Sequence, residues 1–453
     1  MKLKSPMGRR ALKSAVVAGT VIASLSGLLL SQTPAFADDN TIFVAVGSDT
    51  TQDIMNQFSL DLGGNTLGSQ YATNQVSQAV HEVITPAKEA RNADGTPNPL
   101  AAQQNCSYDR PNGSGEGQAA LRLAINAAST AAAPGGANPP QVGCIDIARS
   151  SSAPGSNAST SGQLIFIPFG LDDVTGATGS TAATAPTATT AGTSTVPAGC
   201  SNAAGATTNA CVATPASNLV PTSGTGANQA PGFTLAQLQA MYSAGTPEQA
   251  TNGLTYNPAG GPTALQAGQI AIDLYIPQSG SGTRNFWATT MGISNTTLPA
   301  WVFDHIQADG GNTVASFVNA QVEEHDGTAV TVDPNGFMPF SVAQYIAQTN
   351  GHNARFHQAI VAQVNGVAPI VSGALNTSFP INREVYNVVQ FDRVVQQNDG
   401  HFDAQLAKLL VGGTSTLCRD SATITGYGFG LLSASTTDTC GSTAATLRAY
   451  ATI

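Results

Sequence analysis

The stretch TIFVAVGSDTTQDIMNQF, residues 41–58, decides the fold class. Ile42, Phe43, Val44 and Val46 form a short apolar run, the pattern of a buried strand, and Gly47 ends it. Ile54, Met55 and Phe58 then fall at helical spacing. Strand, glycine turn and helix recur down the chain. Further strands are predicted at Gly143–Ala148, ending at Arg149, and at Gln163–Phe169, Gln269–Ile276, Ala329–Val332, Val367–Val371 and Val385–Gln390. Helices are predicted at Gln118–Ala133, Phe233–Tyr242, Arg284–Met291 and Phe402–Leu410. This alternation predicts an α/β protein with mainly parallel pairing.

The 453 residues suffice for two or three domains, and 42% hydrophobic residues suffice for a core. Only 10% of residues are charged, against about 25% in an ordinary soluble domain. Ala, Gly, Ser, Thr, Asn and Gln must therefore make most of the surface. Seventeen basic and 27 acidic residues give a net charge of −10. That excludes nucleic acid as a partner, which needs clustered Lys and Arg.

Lys2, Lys4, Arg9, Arg10 and Lys13 precede an uncharged run from Ser14 to Gln32, and Ala35-Phe36-Ala37 offers a small-x-small cleavage site. Residues 1–37 thus read as a secretory signal cut after Ala37. Arg9-Arg10 leaves the general and the twin-arginine export routes both open. No Cys follows the run, and no second run is long enough to span a bilayer. The expected product is an exported, extracellular chain without a membrane anchor, with the cell wall as one place it could stay. Six cysteines in such a chain read as disulfides, neighbour pairing being the simplest: Cys106–Cys144, Cys200–Cys211 and Cys418–Cys440. Residues 176–230 are almost wholly Ala, Thr, Gly, Ser, Pro and Asn and read as a low-complexity insertion unable to order itself.

Four short segments put Gly and hydroxyl residues after a strand or at a helix start. They are Gly47–Gln52 (GSDTTQ), Gly113–Gln118 (GSGEGQ), Arg149–Pro154 (RSSSAP) and Ser279–Arg284 (SGSGTR). A helix N-terminus carries unpaired N–H groups and partial positive charge. Glycine lets an anion approach, and Ser or Thr adds a donor. Each segment alone is an ordinary cap; the four together point to an oxyanion site.

In this order the segments resemble those of the PstS-type phosphate-binding proteins of ABC transporters. Weaker matches follow at Phe233–Ser243, Phe337–Ala347, Asn365-Gly366 and Phe379–Val389. The resemblance implies an α/β, two-lobe periplasmic-binding-protein-like fold of type II, with a hinge and a central cleft. Lobe 1 would be 41–168 plus 366–453 and lobe 2 would be 169–365, with crossings near Phe166–Gly170 and Ala362–Ala368. It implies phosphate or a similar oxyanion as ligand, an ABC permease as partner, and a monomer. It carries ligand roles onto Ser48, Asp49, Thr50, Ser114, Ser150 or Ser151, Ser281, Gly282 and Thr283. Two departures matter. Pro277 and Ser279 stand where the family has an Arg and an Asp, and the third segment has Ser-Ser for Ser-Asp. Arg149 and Arg284 are the candidates to replace the lost cation. Asp49 is the one carboxylate left inside a motif, so weak discrimination between phosphate and sulfate is expected unless Asp49 faces the cleft.

No enzyme is expected. His81, His305, His325, His352, His357 and His401 are scattered, and no metal-ligand spacing or nucleophile elbow stands out. Glu323-Glu324-His325-Asp326 reads as a solvated loop. No cofactor and no metal are expected. The alternative function is an exported surface or matrix protein that keeps the fold without tight phosphate binding.

Overall fold

The structure, a computed structural model, describes residues 43–62, 67–68, 83–84, 108–129, 131, 138–140, 142–179, 210–212, 229–230, 233–243, 248–249, 255–258, 270–271, 273–306, 319–333, 336–357, 359–395, 400–433 and 438–453. The expected signal segment, residues 1–37, lies outside them; Asn40–Ile453 forms one compact unit. Strand β1 (Phe43–Gly47) is buried throughout and passes through a 3-10 turn, Asp49–Thr51, into α1 (Gln52–Asp61), which buries Ile54, Met55 and Phe58. Then come α2 (Gly113–Ile125), β2 (Ile147–Ser150), β3 (Leu164–Gly179) and α3 (Leu235–Ser243). The chain continues through β4 (Asp273–Tyr275), α4 (Gly282–Met291), β5 (Gly336–Ser341), α5 (Val342–Thr349), β6 (Ala359–Ala362), β7 (Asn382–Gln390) and α6 (Ala404–Leu410).

One mixed sheet of 11 strands organises these elements. Its order is Val302–Phe303, β4, β5, β3, β7, β2, β1, Leu67–Gly68. Pairing is parallel between β1 and β2 and between β4 and β5. It is antiparallel where β3 meets β5, β6 and β7. The expected mainly parallel sheet is thus corrected to a mixed one. The cause is β3, a 16-residue strand, where only the apolar start, Gln163–Phe169, was legible. Its second half, from Gly170, holds Gly, Asp and Thr and looks like loop, yet β5, β6 and β7 pair with it. Phe337 fills the space where a Cβ on Gly176 would sit, its ring atom 1.8 Å from that position. Strand β3 therefore runs into residues expected to belong to the 176–230 insertion. Within that stretch Ala210–Val212 and Gln229–Ala230 also pair as strands.

Other differences have local causes. Helix α2 begins at Gly113, ahead of the expected Gln118. Glycine disfavours helix, but the Gly115 N–H donates to the Gly280 carbonyl at 2.9 Å and Glu116 accepts from the Asn112 N–H at 2.7 Å. The Ala329–Val332 strand is instead a helix, Thr328–Val332. Asp326 accepts from the Thr328 N–H at 2.8 Å and starts the turn, overriding the β preference of Val and Thr.

The apolar side chains cluster on either side of the middle of β3. Phe43, Phe58, Ile147, Leu164, Phe166, Phe169, Val385 and Val388 share one cluster. Val174 packs instead with Trp287, Phe337, Val364, Phe379 and Ile381. The expected crossing at Ala362–Ala368 falls inside this second cluster. Strand β7, which follows Ile381, carries a bulge between Val385 and Tyr386.

Cys418 and Cys440 form a disulfide, with Cα atoms 5.8 Å apart. Cys144 is also disulfide-bonded; its expected partner Cys106 lies outside the described residues, as does Cys200 of the expected Cys200–Cys211 pair.

Two charges are buried where β1, β2 and β3 run through the core. Arg149 is fully buried and donates to the carbonyls of Ala45, Gly47 and Ser48 at 3.0, 2.9 and 3.1 Å. Burial lowers its pKa to about 9, against the opposing pull of Asp49 and Asp53, so it stays cationic at neutral pH. Arg149→Met should cost about 3 kcal/mol or more, because three carbonyls lose their donor at once; an unchanged urea midpoint would sink this assignment. Asp173 is buried with neither carboxylate oxygen hydrogen-bonded. Burial, then the neighbouring Asp172, pushes it up to about 9. Its folded pKa lies above the unfolded value, so its ionisation costs no stability at acid pH and an increasing amount as pH rises toward 9. Asp173→Asn should therefore be more stable than wild type by roughly 1–3 kcal/mol, with the gap larger at pH 8.5 than at pH 5. Urea unfolding at both values checks this, and a gap that shrinks with pH would refute it.

Candidate functional site

The four hydroxyl-bearing segments meet at one place. Gly47 has a positive φ of 113°, and a Cβ there would lie 2.8 Å from the Arg149 carbonyl and 3.1 Å from Cα of Gly117. Only glycine permits that approach, and it brings the first two segments together. The third is fastened to the second by its hydroxyls. Ser114 Oγ accepts from the Ser151 N–H at 3.0 Å and lies 3.2 Å from Ser151 Oγ, while Gln118 donates to Ser150 Oγ at 3.2 Å. The fourth packs on both through Gly282. A Cβ on Gly282 would stand 2.3 Å from Ser114 Oγ and 2.5 Å from Ser151 Oγ. Ser281 caps α4 by accepting from the Arg284 N–H at 3.1 Å. Thr283 Oγ1 lies 3.4 Å from Thr50 Oγ1. Ser48, Asp49, Thr50, Ser114, Ser150, Ser151, Ser281 and Thr283 are all buried.

The two candidate cations point elsewhere. Arg149 is engaged by the β1 carbonyls. Arg284 donates to the carbonyls of Asn295 and Pro277 and pairs with Asp304 at 2.7 Å. Both guanidinium groups work as fasteners for the loops that carry the hydroxyls. The arginine that reaches the hydroxyls is Arg383 of β7, which donates to Thr50 Oγ1 at 3.2 Å and pairs with Asp172 at 2.8 Å. Its Nη1 is buried with no hydrogen-bond partner. A second arginine, Arg110, pairs with Asp49 and donates to Gln52 Oε1 at 3.2 Å. The Asp49 carboxylate is thus turned to Arg110 through Oδ1.

Glu323, Glu324 and His325 are buried, which corrects the expectation of a solvated loop. Glu324 accepts from Thr50 Oγ1 at 3.2 Å and from Ser281 Oγ at 3.1 Å. Burial, then Asp49, raises its pKa above the ordinary carboxylate value, while Arg383 and Ser281 pull the other way. A carboxylate among the hydroxyls was expected only from Asp49; Glu324, from a different loop, supplies it. Asp172 accepts from Ser341 Oγ and the Ala343 N–H, both at 3.0 Å, and so caps α5. Gln344 of α5 donates to the Thr50 carbonyl at 2.7 Å.

Sequence reading missed Arg110, Arg383, Glu324 and Gln344 because each lies outside the glycine-hydroxyl motifs. One signal was available. Only 10% of residues are charged, so Arg383 and Glu384, set between the apolar Ile381 and Val385, mark candidate buried charges. Beside the site, a cavity of about 1080 Å³ is bordered by Gly115, Gln118, Ser152, Phe286, Arg383 and Tyr386. Arg383 faces it with Phe286 under the guanidinium, 5.5 Å from the ring centre. Among the described residues no helix is long and apolar enough to cross a membrane.

No family model matches the chain, and no curated protein matches it. Solved structures do. An ABC-type phosphate transport receptor from Vibrio cholerae is 12% identical, covering 86% of this chain and 99% of its own, with a TM-score of 0.37. PstS from Borrelia burgdorferi is 11% identical over 77% of this chain and 87% of its own, with a TM-score of 0.31. A phosphate-binding protein from Stenotrophomonas maltophilia is 11% identical over 77% and 79%, also at 0.31. At TM-scores this low, the functional reading rests on the chain's own side chains.

Proposed function

We propose that the chain is an exported solute-binding protein that closes on a tetrahedral oxyanion, inorganic phosphate first. The ligand is held by Ser48, Thr50, Ser114, Ser151, Ser281, Gly282 and Thr283, with Arg383 as the cation. Arg149, Ser150 and Arg284 hold the loops in place. One observation carries this reading. Hydroxyls from four separate segments, several at helix starts, converge on one buried spot that also receives an arginine. Such a spot stabilises an anion by contact, without lysines. Ser48 Oγ and Arg383 Nη1 are buried without a partner. Each unpaired group costs about 1–3 kcal/mol, and an oxyanion brings the acceptors they lack. The protein binds and releases; it does no chemistry on the ligand.

Closure needs two lobes. In this reading the crossing strands are β3 and β7, with residues 366–381 assigned to the second lobe. The division of the apolar side chains at the middle of β3 and the bulge in β7 support it. The cavity beside Arg383 is the way in. An ABC permease would receive the ligand from a monomeric, extracellular binding protein.

A second reading has its own observation. Glu324 already accepts from Thr50 and Ser281, two of the donors an oxyanion would need. An internal carboxylate in the ligand's place favours an exported surface protein that keeps the fold without tight binding.

Calorimetry on the mature, phosphate-stripped chain separates the two. The first reading expects one phosphate per chain, and it expects Ser281→Ala and Thr283→Ala each to weaken binding about tenfold or more. No heat at millimolar phosphate would leave the second reading standing. Selectivity gives a further test. Phosphate near neutral pH keeps a proton that it can donate to the Glu324 carboxylate, whereas sulfate has none and leaves two acceptors face to face. Wild type should prefer phosphate, and Glu324→Gln should bring the two affinities together. A phosphate preference that Glu324→Gln leaves untouched would show that this carboxylate does not meet the ligand.

A further inference from the structure

Next to the hydroxyls lies a group of side chains that oxyanion binding does not use. Asp49 comes from the turn after β1, and Glu323 and His325 come from the loop before Thr328. One ligand-type atom from each lies within 4.8 Å of the other two. All three side chains are buried, at 0%, 4% and 1% exposure. Each also leaves one atom without a hydrogen-bond partner: Asp49 Oδ2, Glu323 Oε1 and His325 Nδ1. The remaining atoms are held. Arg110 pairs with Asp49 Oδ1, and Gln278 donates to Glu323 Oε2 at 3.1 Å. Gln348 donates to the His325 main-chain carbonyl at 2.7 Å.

Asp49, Glu323 and His325 are buried together, and each keeps an atom that no hydrogen bond satisfies, an unfavourable arrangement as it stands. His325 Nδ1 is 3.8 Å from Glu323 Oε2, too far for a hydrogen bond to relieve this. A cation would satisfy all three at once. We propose that Asp49, Glu323 and His325 bind a divalent metal ion of the borderline class, zinc first. Bonds of about 2.0–2.2 Å place two ligand atoms of one ion roughly 3–4 Å apart, so the cluster has at most about 1–2 Å to close. One nitrogen and two carboxylates form a donor set that suits zinc. The neighbouring charges are Arg110 on Asp49, Arg149 near Asp49 and Asp53, Glu324 next in the chain, Asp326, and Asp53 paired with Arg355 at 2.7 Å. Counted with the two carboxylates of the cluster itself, acidic groups outnumber cations, which favours a metal ion. The site stands independently of phosphate binding, because zinc alone is the ligand.

The test uses untagged mature protein stripped with a chelator, titrated with zinc chloride and, separately, with cobalt(II). Wild type should bind one equivalent of zinc. Glu323→Gln and His325→Gln should each weaken binding at least about tenfold, while exposed His401→Gln should leave it unchanged. No binding by wild type, or equal binding by both cluster variants, overturns the proposal. Should either variant fail to fold by circular dichroism, the wild-type cobalt spectrum decides. Strong visible bands of a four- or five-coordinate ion support the site, and weak bands like those of the aquo ion overturn it.

Discussion

The pairing of Asp172 with Arg383 is the interaction on which the rest of the site depends. Asp172 lies in the middle of β3, fully buried, and serves three partners: the Arg383 guanidinium, Ser341 Oγ and the Ala343 N–H. A buried carboxylate is tolerable only when paired and hydrogen-bonded. Satisfying Asp172 fixes where α5 starts and where Arg383 points. Arg383 then reaches Thr50, and Gln344 of α5 reaches the Thr50 carbonyl. The sheet, the fifth helix and the first hydroxyl segment are tied together by one acid.

Around that tie the chain uses its few charges as interior fasteners. Arg149 closes the end of β1, Arg284 ties α4 to Asp304, and Arg393 bridges Asp146 and Asp403 at 2.8 and 2.9 Å. A composition with 10% charged residues would ordinarily suggest a surface starved of charge. Much of that charge is instead buried, where low dielectric strengthens each pair and raises the penalty for losing one partner. The same economy leaves the cluster of Asp49, Glu323 and His325 rich in acceptors and short of donors.

Glu324 links the two functional proposals. Its oxygens meet the hydroxyls of Thr50 and Ser281, and the residue before it belongs to the acceptor-rich cluster. A change in what occupies either place alters the field at the other, since both lie in one water-poor interior.

The sequence by itself determined the strand–glycine–helix alternation and the four hydroxyl segments. Those features depend on neighbours within a few residues: apolar runs, helix spacing, and glycine where a turn or a close approach requires it. It placed Ser48, Thr50, Ser114, Ser151, Ser281 and Thr283 at segment ends, and the structure brings all six together. Tertiary structure decided what long-range pairing controls. The antiparallel second half of β3 depends on β5 and β7, whose paired residues lie far along the chain, Phe337 opposite Thr178 and Asn382 opposite Asp173. The short helix Thr328–Val332 forms against its β propensity. Which arginine meets the hydroxyls was invisible for the same reason. Arg149 and Arg284 sit inside the motifs and are held by local carbonyls, whereas Arg383 arrives from a distant strand because Asp172 holds it there. Local sequence fixes which donors exist, and only the packed sheet decides which charge they face.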